Sequence, residues 1–95
     1  MTPLTLETSR RGDGNRVLTA TGEIDLSNVA DFSRALGDAT ADGPVIVDLR
    51  AVDYLDSGAI NALFAHADQI SLVINPVLGP VLTISGLTSL VDVGH

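Results

Sequence analysis

The run Tyr54-Leu55-Asp56-Ser57-Gly58-Ala59-Ile60 places a hydroxyl between a carboxylate and a glycine, where an extended pattern gives way to a helical one. A serine so placed can serve as nucleophile, phosphate acceptor, ligand or helix cap. Nucleophilic use needs a base and an orienting group within hydrogen-bond reach. The two histidines offer little: His66 lies nine positions further on, about two and a half helical turns away, and His95 falls in a tail expected to fray. This geometry argues against a Ser-His hydrolase, and His66 is expected to be an exposed helix residue. Two separated histidines and dispersed acids also lack the clustered spacing of zinc or calcium sites. Asp25, Asp48, Asp53 and Asp56 could converge on a cation, but no calcium-loop pattern runs through them. Gly12-Asp13-Gly14 sits in a hairpin turn without the third glycine and following helix of a phosphate cradle. No cofactor, metal or catalytic residue is therefore expected.

Two uses of the Asp56-Ser57-Gly58 segment remain open. Either Asp56 or Ser57 can accept hydrogen bonds from the first free N–H groups of the helix. The same N–H groups and the helix dipole favour added negative charge, so a phosphate on Ser57 would be tolerated there.

Composition narrows the classes further. Ninety-five residues, 45% hydrophobic and only 3% aromatic, suit one small domain spanning residues 1–95. Its core must be built from Val, Leu, Ile and Ala, with Phe32, Phe64 and Tyr54 as the few large pieces. Cysteine is absent, which excludes disulfides and thiolate metal sites and is compatible with a cytoplasmic location. No signal-peptide or membrane-spanning pattern is found, since the apolar stretch from Leu72 to Ile84 is broken by Asn75, Pro76, Gly79 and Pro80. Twelve acids against five arginines give a net charge of -7, a surface that repels nucleic acid and anionic lipid. The charge serves solubility or meets a partner with a basic docking face.

The elements that must position Ser57 follow from periodicity. Leu4 to Thr8 alternates like a half-buried strand, and Arg11 to Asn15 is turn chemistry leading to a second strand near Arg16 to Thr21, an N-terminal hairpin. Ser27 can cap a helix carrying Val29, Phe32, Leu36 and Ala39 at helical spacing, with Asp31 in the first turn and Asp42-Gly43-Pro44 ending it. Val45 to Leu49 is β-branched with little alternation, as in a central strand covered on both faces. Ile60, Leu63, Phe64 and Ala67 form the stripe of a second helix, and Leu72-Val73-Ile74 is a further buried strand. Pro80 can open a third helix, covered inside by Val81, Leu82 and Ile84 or Ser85 and closed at Gly86-Leu87. Leu90 to Val93 can add a short strand or helix. The fold class is thus α/β: a single small domain with a mixed four- to five-stranded sheet, an N-terminal hairpin and about three packed helices. Loops leaving its parallel strands share one edge, where ligands and partners dock in open sheets. Three should meet there: Gly22 to Ser27, Ala51 to Ser57, and Asn75 to Gly79.

Taken in order, Gly22-Glu23-Ile24-Asp25, Val45 to Leu49, Asp56-Ser57-Gly58, Asn75-Pro76 and Ser85-Gly86-Leu87 resemble the STAS domain, the sulfate-transporter and anti-sigma-factor-antagonist module. The resemblance runs from Leu4 to about Val93, and the Asp-Ser pair is most similar to the stand-alone bacterial anti-sigma factor antagonists. It implies the matching fold and a non-enzymatic protein that binds an anti-sigma factor, an ATP-binding serine kinase, and so releases a sigma factor. It also implies that the kinase phosphorylates Ser57, that a separate serine phosphatase reverses this, and that Asp25, Asp56, Ser57 and Gly58 lie on the partner surface. Where relatives carry longer serine motifs, here a single serine precedes Gly58-Ala59-Ile60, and only Asp68 to Ser71 separate the second helix from the next strand, so that helix is expected to be short. A STAS subunit within a larger assembly, such as a lipid-transport ATPase complex or a stress-signalling scaffold, is the alternative. Val77, Leu78, Val81, Leu82 and Ile84 form either a tightly packed short helix or a hydrophobic docking patch.

Overall fold

The computed structural model describes residues 3–12, 14–80 and 92–94. Strands β1 (Thr5–Arg10) and β2 (Arg16–Ile24) form the opening hairpin. They are followed by α1 (Val29–Thr40), β3 (Val45–Leu55), α2 (Ser57–Ala65), β4 (Ile70–Ile74) and β5 (Asp92–Gly94). Single 3-10 turns cover Ala67–Gln69 and Pro76–Leu78. The sheet runs β1-β2-β3-β4-β5, antiparallel only between β1 and β2.

Local chemistry explains the punctuation. The hairpin turn closes through Gly14 N–H to the Arg11 carbonyl at 2.9 Å and Arg11 N–H to the Asn15 carbonyl at 2.8 Å, and Gly14 takes φ +89°, a left-handed conformation that glycine adopts freely. Gly43 does the same past the end of α1 at φ +125°, with Pro44 preventing continuation. Arg16 ties the start of β2 to that end through Asp42 at 3.1 Å and the Ala39 carbonyl at 3.3 Å.

Right-handed crossovers from β2 to β3 and from β3 to β4 step the same way along the sheet, so α1 and α2 share one face. Beneath them lie Leu18, Ala20 and Ile24 of β2, Val45, Val47, Leu49 and Val52 of β3, and Ile70, Leu72 and Ile74 of β4. Phe32, Leu36 and Ala39 from α1, Ala59, Ala62 and Leu63 from α2, and Leu55 and Leu78 also belong to the buried set, with Ile60, Phe64 and Ala67 packed at its margin.

Several expectations need correction. β3 is central but not covered on both faces, because Val45, Val47 and Leu49 are buried while Ile46 and Asp48 are half-exposed. β3 also continues to Leu55, so most of the expected Ala51 to Ser57 loop is strand. Pairing with β2 shifts register between Thr19 and Thr21 and again between Gly22 and Glu23. Such bulges break the two-residue alternation and place both Val52 and Leu55 in the core. Tyr54, expected among the large core pieces, is 48% exposed. α2 is short, ending at Ala65. His66 is half-buried rather than exposed. It closes α2, and its Nδ1 lies 3.3 Å from the hydroxyl of Thr40, which donates to the Leu36 carbonyl at 2.9 Å. The tail expected at Leu90 to Val93 pairs with β4 as a strand over Asp92–Gly94. The third-helix reading on Val81, Leu82, Ile84, Ser85, Gly86 and Leu87 lies outside the described residues.

Candidate functional site

The carboxyl ends of β2, β3 and β4 gather three short loops on one edge of the sheet. β2 and β3 end side by side, Ile24 opposite Leu55, and the Asp56 N–H donates to the Ile24 carbonyl at 3.0 Å. The chain then turns directly into α2. Asp56 is its cap: the residue is extended (φ -88°, ψ 174°) and its Oδ1 accepts from the Ala59 N–H at 3.1 Å. The choice left open by the sequence falls to Asp56, and Ser57, the first residue of the helix, stays exposed. Gly58 packs where space is short. A Cβ there would stand 3.1 Å from the capping Asp56 Oδ1 and 3.3 Å from Val29 Cγ2 of α1.

The β2–α1 loop is held by its own side chains. Asp25 Oδ1 accepts from the Ser27 N–H at 2.9 Å and from the Ser27 hydroxyl at 2.5 Å. Asn28 Oδ1 accepts from the Asp25 N–H at 2.9 Å, and its Nδ2 donates to the Glu23 carbonyl at 3.0 Å. Ser27 is therefore not the cap of α1. The cap position belongs to Asn28, whose side chain points back into the loop instead of to the helix. The Ser27 hydroxyl, then the Ser27 N–H, hold the Asp25 carboxyl below its usual range, since hydrogen bonds to a carboxylate favour its charged form. At the apex of this turn Leu26 is 82% exposed.

The third loop follows β4. Asn75 Oδ1 accepts from the Val77 N–H at 3.2 Å, starting the Pro76–Leu78 turn. Leu78 is buried and Val77 is 59% exposed, so these two members of the apolar group divide between packing and solvent. Leu26, Tyr54 and Val77 are the exposed large hydrophobics among the described residues. Leu26 and Tyr54 lie by the adjoining ends of β2 and β3, whereas Val77 follows β4, whose pairing with β3 stops at Leu49. The sequence reading missed Leu26 and misplaced Tyr54. The available signal was a lone leucine inside Asp25-Leu26-Ser27-Asn28, where every neighbour is a turn-former.

Other chemistry finds no matching geometry. Nine residues of helix rise separate Ser57 from His66, on the order of 13 Å, and His66 faces Thr40. Three of the four acids considered for a cation have separate structural partners. Asp56 caps α2 and Asp25 organises its loop. Asp48 is chelated by Arg50 at 2.8 and 3.1 Å, which holds its carboxyl below the usual range. Among the described residues no group of three or more metal-type side chains clusters, and no helix is long and apolar enough to cross a membrane.

Comparison with known proteins agrees with this arrangement. Anti-sigma-F factor antagonist RsfB of Mycobacterium tuberculosis is 38% identical over 60 residues, covering 61% of this chain and 49% of the relative. The chain thus spans about half the length of the curated relatives it matches. An anti-sigma factor antagonist from Mycobacterium paratuberculosis superposes with a TM-score of 0.87 at 25% identity, covering 97% of this chain and 86% of that one. The unphosphorylated form of the anti-sigma factor antagonist SpoIIAA shares the fold, with a TM-score of 0.74 at 15% identity over 96% of this chain and 89% of that one. The profile of the STAS domain matches residues 8–78, from the middle of β1 through the Pro76–Leu78 turn. That span takes in the hairpin, both helices and all three loops around Ser57, and by it the chain belongs to the STAS domain family.

Proposed function

We propose that this chain is an anti-sigma factor antagonist: it binds an anti-sigma factor serine kinase, releases a sigma factor, and is switched off when that kinase phosphorylates Ser57. The observation that carries the reading is the division of labour at the start of α2. Asp56 supplies the cap, so the neighbouring hydroxyl is exposed on the helix terminus and available for transfer. Asp25, Asp56, Ser57 and Gly58 then share one partner surface, with Asp25 shaping its loop and Gly58 keeping the cap and α1 close to the serine. A phosphate would add about -1.5 to -2 charge on the side of the helix that accepts it. Within a docked interface the same charge would meet a surface shaped for a hydroxyl, and an unpaired buried charge costs several kcal/mol. A serine phosphatase resets the switch. The expected result with the anti-sigma factor kinases of the source organism and ATP is a single phosphate at Ser57, located by peptide mass spectrometry and absent from Ser57→Ala. Labelling at Ser27 in place of Ser57 would overturn the assignment.

A further inference from the structure

The β2–α1 loop combines an almost fully solvated leucine with a backbone held by its own side chains. Single exposed hydrophobics are ordinary on protein surfaces, and Leu26 alone would call for no explanation. Here, however, the residues on both sides are clamped: Asp25 to Ser27 through the carboxylate, Asn28 to Asp25 and to Glu23 through its amide. A turn held by four side-chain hydrogen bonds leaves Leu26 at 82% exposure instead of letting it fold back onto the core. Tyr54, at the end of β3 next to Asp56-Ser57, presents another exposed apolar side chain close to the same helix start. Asp25 and Asp31 flank the loop and Asp56 opens α2, with Asp53 near the end of β3, while Arg50, further back on β3, is paired with Asp48.

From this we infer that Leu26 is the apolar anchor of the kinase interface, received by an apolar pocket whose rim is basic. The inference rests on the antagonist reading and names the partner's chemistry at the same site. A rigid loop loses little freedom when its side chain is buried in a partner, so the burial is expressed in affinity rather than consumed by ordering. The acidic rim steers a basic partner face to the edge and sets orientation, whereas the apolar anchor holds it there.

The test uses the full chain and the purified kinase that labels Ser57, with ADP present, in calorimetry and stopped-flow association. Leu26→Ser is expected to weaken affinity by about tenfold or more, the range of an interface anchor, with an unchanged melting temperature. Leu26→Met, which keeps size and apolarity, is expected to restore affinity to within about threefold of the parent, a change well under the tenfold step. Added salt should slow association of parent and Leu26→Ser alike. Parent-like affinity of Leu26→Ser, or equal losses for serine and methionine, would overturn the anchor. An association rate indifferent to salt would overturn the basic rim. If no anti-sigma factor kinase labels Ser57, the antagonist reading fails first and the anchor with it.

Discussion

Ser57 and Asp56 are adjacent, yet Asp56 caps α2 while Ser57 is exposed, and under the proposed switch the two should respond differently to substitution. Asp56→Ala removes the carboxylate that accepts from Ala59 and should cost about 1 kcal/mol, a fall in melting temperature of roughly 4–8 °C for a domain of this size. Ser57→Ala should leave stability within about 0.5 kcal/mol, as for other surface substitutions. Against the kinase the order reverses, since Ser57→Ala should still bind, whereas Ser57→Glu adds charge at the docking surface and should bind at least about tenfold more weakly. Equal affinities in calorimetry would remove the electrostatic basis of the switch. Gly58 links the two tasks. Gly58→Val would press on both the cap and Val29 and is expected to lower the melting temperature further than Asp56→Ala, because it disturbs helix packing as well as the cap.

At the scale of elements, α1 is the piece that holds the site's floor. Leu36 on its inner face is fully buried, and Leu36→Ala should cost about 2–5 kcal/mol, read as a shifted denaturant midpoint. α1 was legible because Phe32, Leu36 and Ala39 recur at helical spacing and are buried. The α2 stripe was read in part only: Leu63 is buried, but its buried companions are Ala59 and Ala62, with Ile60, Phe64 and Ala67 half-buried at the margin. The second half of β3 was not legible. Arg50 and Asp53 look like loop residues, and two bulges place Val52 and Leu55 three apart on the buried side, a spacing that a test for alternation rejects. The cap of α1 escaped for a different reason. Ser27 and Asn28 are both good caps by type, and only the hydrogen bonds reveal that both side chains serve the Asp25 turn. The proposed site could be drawn from the sequence at Asp25, Asp56, Ser57 and Gly58 because motif and helix start coincide there, and the structure places these residues at the adjoining ends of β2 and β3. The exposure of Tyr54 was not legible, since a sequence gives no accessibility for a large side chain at a strand end, and Leu26 was signalled only by its turn-forming neighbours.

For the whole molecule, twelve acids in 95 residues make acid the informative perturbation. Asp48, bound by Arg50, and Asp25, bound by Ser27, both stay ionised below the usual carboxylate range when folded. The unfolded chain therefore takes up those protons first as pH falls, so the stability these groups contribute is complete above the ordinary value of 3.8 and is lost as pH drops through their folded values. Urea midpoints measured from pH 6 downward should hold until about pH 4 and then decline, and Asp48→Asn should flatten that decline. Phosphorylation, by contrast, should leave circular dichroism unchanged, because the added charge is placed at a solvated helix terminus. The order of the strands in the sheet is also their order in the chain, so each strand leaving the ribosome finds its neighbour already made. The surface around Ser57 is nonetheless a late product, for it needs the ends of β2, β3 and β4 together, with contributions spread from Leu26 to Val77. Under the proposed switch, a kinase that needs this surface complete would pass over a nascent or broken copy. The phosphate would then double as a certificate of completed folding, and damaged molecules would drop out of the signalling circuit without a separate surveillance step.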